Sequence, residues 1–544
     1  MIQEPERRLF SLTSLTMMIR LGGRVMKRID SDRRQTLRQL SALTLAPLLP
    51  AGALASTVSA IHALPRFALV IGNSRYAEAP LKNPANDASA IAEELKRFGF
   101  AVSMQLDARR SAMEEGIRAF SQGVARQKGV GLFYFAGHGL QLSWRNFLVP
   151  VDAVLDHAES VPRQAIDLTT LLDGLNKAGN PMNIVILDAC RDNPFGSELK
   201  TGKGLSQMDA PLGTLLAYAT APGNVASDGA SANGLYTEHL LREMRTPEAR
   251  IEDVFKRVRL GVRRASNGRQ IPWESTSLEE DFYFLPPASL KKLSQEELDR
   301  RFAEERALWE RARQSMEAAR LEEYIRRYPS GRFVELAQMR LDRILARQGE
   351  ERIRIASPQG NPFSKGTVSA DTHFRIGDRF SYQRVDLLTR VVTSTFTMTV
   401  TAIDDTEVIY DKGVFITDLL GNAVKLANGE RLRSPQLLPT EFAVGKKWRT
   451  RYRLDYPDGR QDWVEYDFKV VARETVVVPA GTFDAFRVEG KGWVMGIGFS
   501  LDTKYWVAPD KVRRAVAYEF LWRERSGRIY KYDREELVSY KHAP

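Results

Sequence analysis

Cysteine is nearly missing from this sequence: the chain of 544 residues contains one, Cys190. A single cysteine excludes an intramolecular disulfide, and it also excludes a zinc site built from paired cysteines. Histidine is scarce too, with six residues in the whole chain. Because a lone cysteine is usually a small buried hydrophobic residue, a chemical role for Cys190 has to be argued from the residues around it.

Long apolar runs and blocks of one charge are missing as well. The apolar run at residues 40–49 is short and is interrupted by Pro47, which argues against a membrane-spanning helix. The formal charge is +11, but residues 1–55 contribute nine Lys/Arg against four Asp/Glu. The rest of the excess is spread along the chain without a basic block among aromatics, so no nucleic-acid partner is expected. With 43% hydrophobic and 27% charged residues, the length predicts two to four globular domains.

Residues 1–60 form an N-terminal extension that resembles an export signal. The adjacent arginines Arg33 and Arg34 precede the apolar run at 40–49, and small residues follow at 53–55. This order is typical of a twin-arginine signal, so we expect a periplasmic or otherwise exported protein. Two alternatives stay open: a disordered basic tail, and a translation start at the later methionine of the Met-Lys-Arg stretch.

Residues 65–288 alternate between short apolar runs and helical patterns. Strands are predicted at 66–71, 101–106, 130–135, 183–187 and 214–219, and helices at 87–98, 111–126, 168–175 and 235–245. This alternation predicts an α/β fold with a mainly parallel sheet covered by helices on both faces. Such sheets bind their ligands at the carboxyl ends of the strands.

The remainder of the chain divides into three regions. Residues 293–347 are helical and open with the capping-box pattern of Ser294 and Glu297, which predicts tetratricopeptide-like hairpins that act as a docked spacer or as a partner-binding groove. Residues 348–373 are predicted to be a linker. Residues 374–544 have strand patterns and turn signals, which predict an antiparallel sandwich, barrel or curved sheet. We find no chemistry in this β-rich region, whose aromatics are interpreted as core; a protein partner for it stays open.

Two strand-end motifs bring together groups that can react. Gly137-His138-Gly139 follows the apolar run at 130–135, and Asp188-Ala189-Cys190 follows the run at 183–187. On neighbouring parallel strands, these ends can lie within hydrogen-bonding reach of each other. An imidazole can then hold a thiol as thiolate or take its proton as it attacks a carbonyl. The motifs predict Cys190 as nucleophile and His138 as its base.

These residues resemble the caspase–metacaspase–paracaspase clan of cysteine proteases. Residues 66–73 are similar to the opening strand of the clan, Tyr134–Gly139 to its histidine motif and Asp188–Cys190 to its nucleophile motif. The interval of 52 residues between His138 and Cys190 agrees with the caspase spacing. The resemblance implies a Cys-His dyad, with the amides of Gly139 and Cys190 as the oxyanion hole. Segments 478–483 and 505–509 resemble a bacterial envelope β-domain.

The resemblance also implies a substrate preference. Asp188 stands where caspases have glutamine, and Asp87 lies in an Asn-Asp-Ala motif that matches the second pocket acid of metacaspases. Two carboxylates in one pocket attract Lys or Arg and repel Asp, so we expect cleavage after basic residues. Simpler roles stay open: helix N-terminal stabilisation for Asp87 and a strand-end turn acid for Asp188.

The substrate-facing residues implied by the same resemblance are Ala136, Tyr218 and Thr220, of which the last two lie in a strand expected to run beside the substrate backbone. Lys200 and Lys203, in a glycine-rich stretch after Cys190, are candidate self-cleavage sites. The chain departs from metacaspases at 191–195, where His-Ser-Gly is missing, and this puts the outer pocket in doubt. No cofactor or metal is predicted, and calcium dependence is left open.

Two rival functions remain at this stage. One is a catalytically silent caspase-like scaffold that binds proteins in the cell envelope, and the other is an unrelated α/β acyltransferase or hydrolase with a cysteine nucleophile. The joint presence of His138, Gly139 and Cys190 favours the peptidase, because a binding module needs none of these groups. The sequence therefore predicts an endopeptidase whose partners are protein or peptide substrates. An exported thiolate is prone to oxidation, which is in tension with the predicted location.

Overall fold

The computed structural model describes residues 60–190, 204–222, 224, 231–287, 294–350 and 360–544. The predicted signal, the candidate self-cleavage residues Lys200 and Lys203, and the departure at 191–195 lie outside this part of the chain.

The first part of the described chain is a sheet with helices on both faces. Its strands are β1 (Arg66–Gly72), β2 (Phe100–Leu106), β3 (Val130–Leu142), β4 (Arg145–Leu148), β5 (Ile166–Asp167), β6 (Met182–Cys190), β7 (Thr214–Tyr218) and β8 (Trp273–Thr276). Its α-helices are α1 (Pro84–Arg97), α2 (Arg110–Gln127), α3 (Val161–Gln164), α4 (Leu168–Ala178), α5 (Leu235–Met244) and α6 (Ile251–Ala265), with short 3₁₀ turns at Ala60–Ala63 and Ala158–Ser160.

The strand order explains where a ligand site can form. The main path runs β2-β1-β3-β6-β7-β8, and every neighbouring pair on it is parallel except β7 with β8. From β1 the chain first crosses to β2 on one side and then to β3 on the other. The order therefore reverses between β1 and β3, and such switch points open a crevice at the carboxyl ends of the strands.

The two faces of the sheet carry separate apolar cores, as the alternating pattern predicted. On one face Ile91 of α1, Leu240 of α5 and Val258 of α6 are buried against the strands. On the other face Ile117 of α2 and Leu171 of α4 are buried. Because both faces are covered, the central strands β1, β3 and β7 are mostly apolar and buried, and the mainly parallel α/β fold is confirmed.

β3 is longer than the sequence pattern predicted. The prediction ended the strand at residue 135 and put His138 on an open turn, whereas the strand runs to Leu142 and His138 is buried. Beyond the histidine, β3 pairs antiparallel with β4, with Gly139 opposite Leu148. The glycines read as a turn in sequence, but here they let an extended strand pass close to its neighbours.

A helical segment follows, made of α7 (Gln295–Gln314), α8 (Ala318–Arg327) and α9 (Val334–Arg347). The predicted capping box is confirmed: the Glu297 amide donates to Ser294 Oγ at 3.2 Å, and the Ser294 amide donates to Glu297 Oε2 at 2.9 Å. Trp309 of α7 stacks on Phe333 with ring centres 5.6 Å apart, which joins the helices in one core. None of the described helices combines the length and the apolar character required to cross a membrane.

The C-terminal region is a closed antiparallel barrel, one of the three architectures left open by the strand pattern. Its strands are β10 (Arg379–Asp386), β11 (Val392–Ile403), β12 (Glu407–Tyr410), β13 (Phe415–Asp418), β14 (Ala423–Lys425), β15 (Arg431–Arg433), β17 (Lys447–Asp455), β18 (Gln461–Val478), β19 (Gly481–Val494), β20 (Phe499–Val507), β21 (Ala517–Arg523) and β22 (Ile529–Lys541). Pairing of β10 with β22 closes the barrel. A separate two-stranded sheet pairs β9 (Thr367–Ser369) with β16 (Glu441–Ala443).

Residues 361–367, within the predicted linker, bind the segment that precedes β7 through a set of contacts that we call the interdomain clamp. Its members are Gln207 and Asp209 on one side and Asn361, Ser364, Lys365 and Thr367 on the other. Gln207 Nε2 donates to Thr367 Oγ1 at 2.8 Å, and Ser364 Oγ donates to Asp209 Oδ1 at 2.7 Å. The neighbouring Ser206 exchanges two hydrogen bonds, of 2.7 and 2.9 Å, with the Asn146 side chain in β4.

Candidate active site

The backbones of His138 and Cys190 are direct neighbours. They are register partners in the adjacent parallel strands β3 and β6, where neighbouring strands lie about 4.8 Å apart. Cys190 is the last residue of β6, at the carboxyl edge of the sheet. Its side chain is outside the described part of the chain. The fold therefore brings together the backbones of the two residues that the motifs singled out.

The imidazole of His138 is oriented by a backbone carbonyl. Its Nε2 lies 2.7 Å from the carbonyl oxygen of Ala79. A carbonyl oxygen only accepts, so Nε2 carries the proton of the neutral ring, and Nδ1 is then the nitrogen able to take up another. Ala79 has φ of +52°, a left-handed conformation that is uncommon for alanine. This strained loop residue supplies the orienting group that an acid supplies in a catalytic triad.

Tyr76 fixes the strand that carries the histidine. Its hydroxyl accepts from the His138 amide at 2.9 Å and donates to the Val149 carbonyl at 3.1 Å, and its ring centre lies 4.4 Å from that of the imidazole. A Cβ on Gly137 would stand 2.6 Å from this hydroxyl, and Gly137 has φ of +154°. The glycine before the histidine is therefore required both by its backbone and by Tyr76.

Gly139, the glycine after the histidine, lies where there is no room for a side chain. A Cβ on Gly139 would lie 3.0 Å from Ala189 Cβ and 3.2 Å from Leu205 Cδ2. A larger residue would push against the strand that ends at Cys190. The oxyanion-hole role of the Gly139 and Cys190 amides stays a prediction.

Asp87 is buried in the first turn of α1, but its hydrogen bonds reach another element. Its Oδ1 accepts from Asn233 Nδ2 and from the Gly234 amide, both at 2.9 Å. These donors precede α5, whose amino-terminal end also carries a partial positive charge. Asp87 therefore does more than stabilise the start of its own helix.

Asp188 is held by a hydroxyl relay. Thr237 Oγ1 lies 2.6 Å from Asp188 Oδ2, and Tyr134 OH lies 2.7 Å from Thr237 Oγ1. Since the single Thr237 hydroxyl proton goes to the carboxylate, Tyr134 must donate to Thr237. The direct contact between the Tyr134 hydroxyl and Asp188 Oδ2, at 3.4 Å, is then the weaker of the two that Tyr134 makes.

The two carboxylates converge on one point. A Cβ built on Gly234 would be 3.1 Å from Asp87 Oδ2 and 3.8 Å from Asp188 Oδ2. Burial raises the pKa of Tyr134 well above its usual range, and the nearby charges of Asp188 and Asp87 raise it further. Burial also raises the pKa of Tyr236 well above its usual range, and the charges of Asp188 and Glu274 raise it further. The region is therefore one of negative potential, which favours a cation.

The predicted substrate-facing residues lie at the same edge of the sheet. Ala136 is the register partner of Asp188, and Tyr218 is that of Leu187. Ala136, Tyr218 and Thr220 are almost fully buried, so any contact with substrate would have to come through their backbones. Their role stays a prediction.

A metal site has no visible basis in the described ranges, where no three His, Cys, Asp or Glu side chains cluster in a way that could hold an ion. Calcium dependence of the protein stays an open question.

A cavity of about 870 Å³ lies elsewhere, where the α/β region meets the helical segment and the barrel. None of the predicted site residues lines it. Several of its charged lining residues pair with each other, as Lys446 does with Glu335 at 3.0 Å and Arg259 with Glu441 at 3.4 Å. We therefore place the candidate active site at the sheet edge and not in this cavity.

Sequence reasoning missed three contributors to the candidate site. Ala79 acts through its carbonyl, which has no side-chain signature. Tyr76 and Thr237 act from loop and helix positions whose neighbours become known only when the chain is folded. For Thr237, the sequence signal was its hydroxyl, which lies three residues after Gly234 at the start of a predicted helix.

Comparison with known proteins agrees with this geometry. Residues 65–283 match the family model described as caspase domain. Mucosa-associated lymphoid tissue lymphoma translocation protein 1 from Homo sapiens is 29% identical over 181 residues, which are 32% of this chain and 21% of that protein. Its homologue from Mus musculus gives the same identity and coverage. The chain thus spans about a fifth of the length of these relatives. Residues 65–283 are therefore similar to the caspase domain, and the mainly parallel sheet with His138 and Cys190 at its edge agrees with that similarity.

Proposed function

We propose that the protein is a cysteine endopeptidase that cleaves after Lys or Arg, with Cys190 as nucleophile and His138 as base. The observation that carries this proposal is the convergence of Asp87 and Asp188 beside the register pair of His138 and Cys190. Asp188 is two residues before Cys190 in β6, and its register partner Ala136 is two residues before His138 in β3. A basic side chain held by the acids would therefore present the following peptide bond to the dyad.

The reaction follows from the tautomer of His138. Nδ1 takes the proton of the Cys190 thiol as the sulfur attacks the scissile carbonyl carbon, and the carbonyl electrons move to oxygen. When the tetrahedral intermediate collapses, the C–N bond breaks and the imidazolium gives its proton to the leaving amine. Water then adds to the thioester with His138 as base and releases the acid and the free thiol. The Ala79 carbonyl, bonded to Nε2, stabilises the imidazolium between the steps.

Substrate choice follows from charge. A Lys or Arg side chain entering between Asp87 and Asp188 replaces its hydration shell with two carboxylates, whereas an Asp side chain would meet repulsion of like charges. The predicted preference is thus the reverse of the caspase preference for Asp.

The test is a set of fluorogenic peptides that differ only in having Arg, Lys or Asp before the cleaved bond. Under reducing conditions, with and without calcium, we expect turnover of the Arg and Lys peptides and little of the Asp peptide. Cys190→Ala should abolish turnover, and Asp188→Asn should lower kcat/KM for basic peptides by roughly 100-fold, the loss expected when a buried charge loses its partner. Equal turnover of the Arg and Asp peptides would contradict the proposed specificity.

If the protein cleaves none of these peptides, the result would instead support the catalytically silent scaffold, so the same assay distinguishes the two functions.

Self-cleavage at Lys200 or Lys203 belongs to the peptidase proposal, because both residues are basic. Wild-type protein would then give smaller bands on denaturing gels and Cys190→Ala would stay intact; identical intact bands would rule out self-cleavage. Export through the twin-arginine route also stays a proposal, to be tested by fractionation of a tagged protein.

A further inference from the structure

Three turns lie side by side at one end of the C-terminal barrel. They join β19 to β20 at 495–498, β21 to β22 at 524–528 and β10 to β11 at 387–391. The strands follow each other around the barrel in the order β19, β20, β21, β22, β10 and β11, so the turns are consecutive. A Cβ on Gly498 would lie 3.8 Å from Arg525 Cδ, and the Leu387 amide donates to the Tyr532 carbonyl of β22 at 2.8 Å. We call these turns, with the adjoining Val392 and Ile529, the turn rim.

The turn rim exposes large apolar side chains to solvent. Six of them are between 36% and 62% exposed: Leu388, Val391, Val392, Met495, Ile497 and Ile529. Side chains that face solvent add little to the core of the barrel. When several lie together on consecutive turns, they form an exposed apolar patch, and such a patch is typical of an interaction surface.

The same turns carry cations that have no acidic partner. Arg390, Arg525 and Arg528 are exposed, and no carboxylate in the described ranges forms an ion pair with them. The acids of these turns are Glu524 and Asp386, and both are only partly exposed. Asp386 also accepts two backbone amides of its own turn. The charge that the turn rim presents to solvent is therefore mainly positive.

We propose that the turn rim docks on an anionic lipid surface, without spanning it. The apolar side chains enter the boundary between headgroups and acyl chains, while the arginines bind lipid phosphates with paired hydrogen bonds. Side chains at the tips of separate turns form projections and not a groove, and a fluid lipid boundary accommodates projections without a matching shape. The inference is independent of the peptidase activity and of the export route.

Sedimentation with vesicles tests the charge requirement. The full chain is mixed with vesicles of phosphatidylglycerol and phosphatidylcholine, or of phosphatidylcholine alone. We expect binding to the anionic vesicles and its release in about 1 M salt, where charges are screened beyond about 3 Å. Replacing Arg390, Arg525 and Arg528 together with glutamine should weaken binding by about 100-fold, since each basic residue near an anionic surface contributes about fivefold. Failure to bind anionic vesicles, or equal binding to both kinds, would overturn the inference.

Ile497→Asp tests the apolar contribution. It should weaken vesicle binding by about tenfold or more, the loss expected when one large apolar side chain no longer leaves water. The matched control is Val477→Asp, because Val477 is 69% exposed and lies near the end of β18, at the opposite end of the barrel. Both sites are exposed, so both variants should keep the thermal midpoint of wild type. Equal loss of binding in the two variants would overturn the inference.

The single cysteine of the chain permits a direct test of insertion. In the full chain with Cys190→Ala, Met495→Cys is labelled with the environment-sensitive fluorophore nitrobenzoxadiazole, and Val477→Cys is labelled as the control. Anionic vesicles should increase the emission of the label at 495 and leave that at 477 unchanged. Unchanged emission at 495 would overturn the inference. If no vesicle binds and Ile497→Asp instead dissociates a dimer or a complex with another protein, the turn rim is a protein interface and the inference is wrong.

Discussion

His138 is held from two directions by groups that carry no charge. The Ala79 carbonyl binds its ring, and the Tyr76 hydroxyl binds its backbone amide. The carbonyl partner selects the tautomer, because a carbonyl oxygen accepts a hydrogen bond and cannot donate one. The base is thus oriented by loop geometry, and its function depends on that loop keeping its shape.

Replacing Tyr76 with phenylalanine tests this dependence. The Val149 carbonyl keeps its second donor, Asn73 Nδ2 at 3.1 Å, so the buried His138 amide is the group left without its bond. We expect a loss of stability of about 1–3 kcal/mol and a reduction of kcat/KM of about tenfold, measured by thermal unfolding and by cleavage of an Arg peptide. The control is Tyr540→Phe, at an exposed position of the barrel. Wild-type values for Tyr76→Phe would show that the tyrosine does not support the histidine.

At the residue scale, sequence motifs named four of the groups that lie together in the fold. His138, Cys190 and Asp188 were chosen from strand-end motifs and Asp87 from the Asn-Asp-Ala motif of the family resemblance, and the fold brings their backbones or side chains close together. Ala79 could not be chosen, because any residue has a carbonyl oxygen. The roles of the four motif residues await the assays above.

At the scale of the elements, the end of β13 contains an aspartate, Asp418, with an unusually high pKa. Asp418 is buried and accepts from the Leu420 amide at 2.9 Å and from Asn422 Nδ2 at 2.8 Å. Burial raises its pKa from 3.8 to about 7, although these hydrogen bonds work in the opposite direction. The folded barrel therefore keeps a proton that the unfolded chain releases near pH 4.

The sign of the pH effect follows. Between about pH 4 and 7 the native state binds one proton more than the unfolded state, so this contribution to stability is present at low pH and is lost as the pH rises towards 7. We expect the stability of wild type relative to Asp418→Asn to fall between pH 4.5 and 8, measured by urea unfolding at each pH. Asp510→Asn, at an exposed position, is the control. A difference that is flat or rises with pH would contradict the assignment.

Element types were easier to predict than element ends. The alternation of patterns gave five strands and four helices of this region but not β4, β5, β8 or the helix α6. Gly99, with φ of +79°, follows the end of α1 as its position suggested. The end of β3 was wrong because the local sequence around His138 has turn-like glycines, whereas its pairing with β4 is a tertiary contact. Local sequence does not encode which neighbour a strand will meet.

At the scale of the whole molecule, Arg263 joins the α/β region to the helical segment. From α6 it donates to Asp342 Oδ1 at 2.7 Å and to Glu350 Oε1 at 3.0 Å, and both Arg263 and Glu350 have nearly buried side chains. When a buried cation is shared by two acids, removal of one partner greatly lowers the stability of the protein, because a buried charge is left unpaired.

Arg263→Ala should therefore destabilise the protein by about 3–5 kcal/mol, because it leaves buried carboxylates without their partner. Thermal unfolding and limited proteolysis would report a lower midpoint and faster cutting. The comparison variant is Arg313→Ala, which removes an exposed pair with Glu310 and should cost about 0–1 kcal/mol. Equal effects of the two substitutions would mean that the junction is held by other contacts.

Closure of the C-terminal barrel could not be predicted from the sequence. The strand patterns were compatible with a sandwich, a barrel or a curved sheet. Closure depends on β10 meeting β22, where Gln383 bonds Glu536 across 153 residues of chain. No local pattern fixes a contact so distant in sequence, whereas the mainly parallel sheet could be expected from its alternating patterns and from the resemblance of its motifs to the caspase clan.

The interdomain clamp decides what happens if the polypeptide is cut. Residues 204–209 are bonded to β4 on one side and to residues 361–367 on the other, and β7 is paired with both β6 and β8. A break anywhere between residues 190 and 204 removes a covalent link and leaves all of these bonds in place. A nicked molecule would travel as a single particle in a native gel and separate into two pieces only in denaturant, so loss of continuity would not mean loss of the assembled fold.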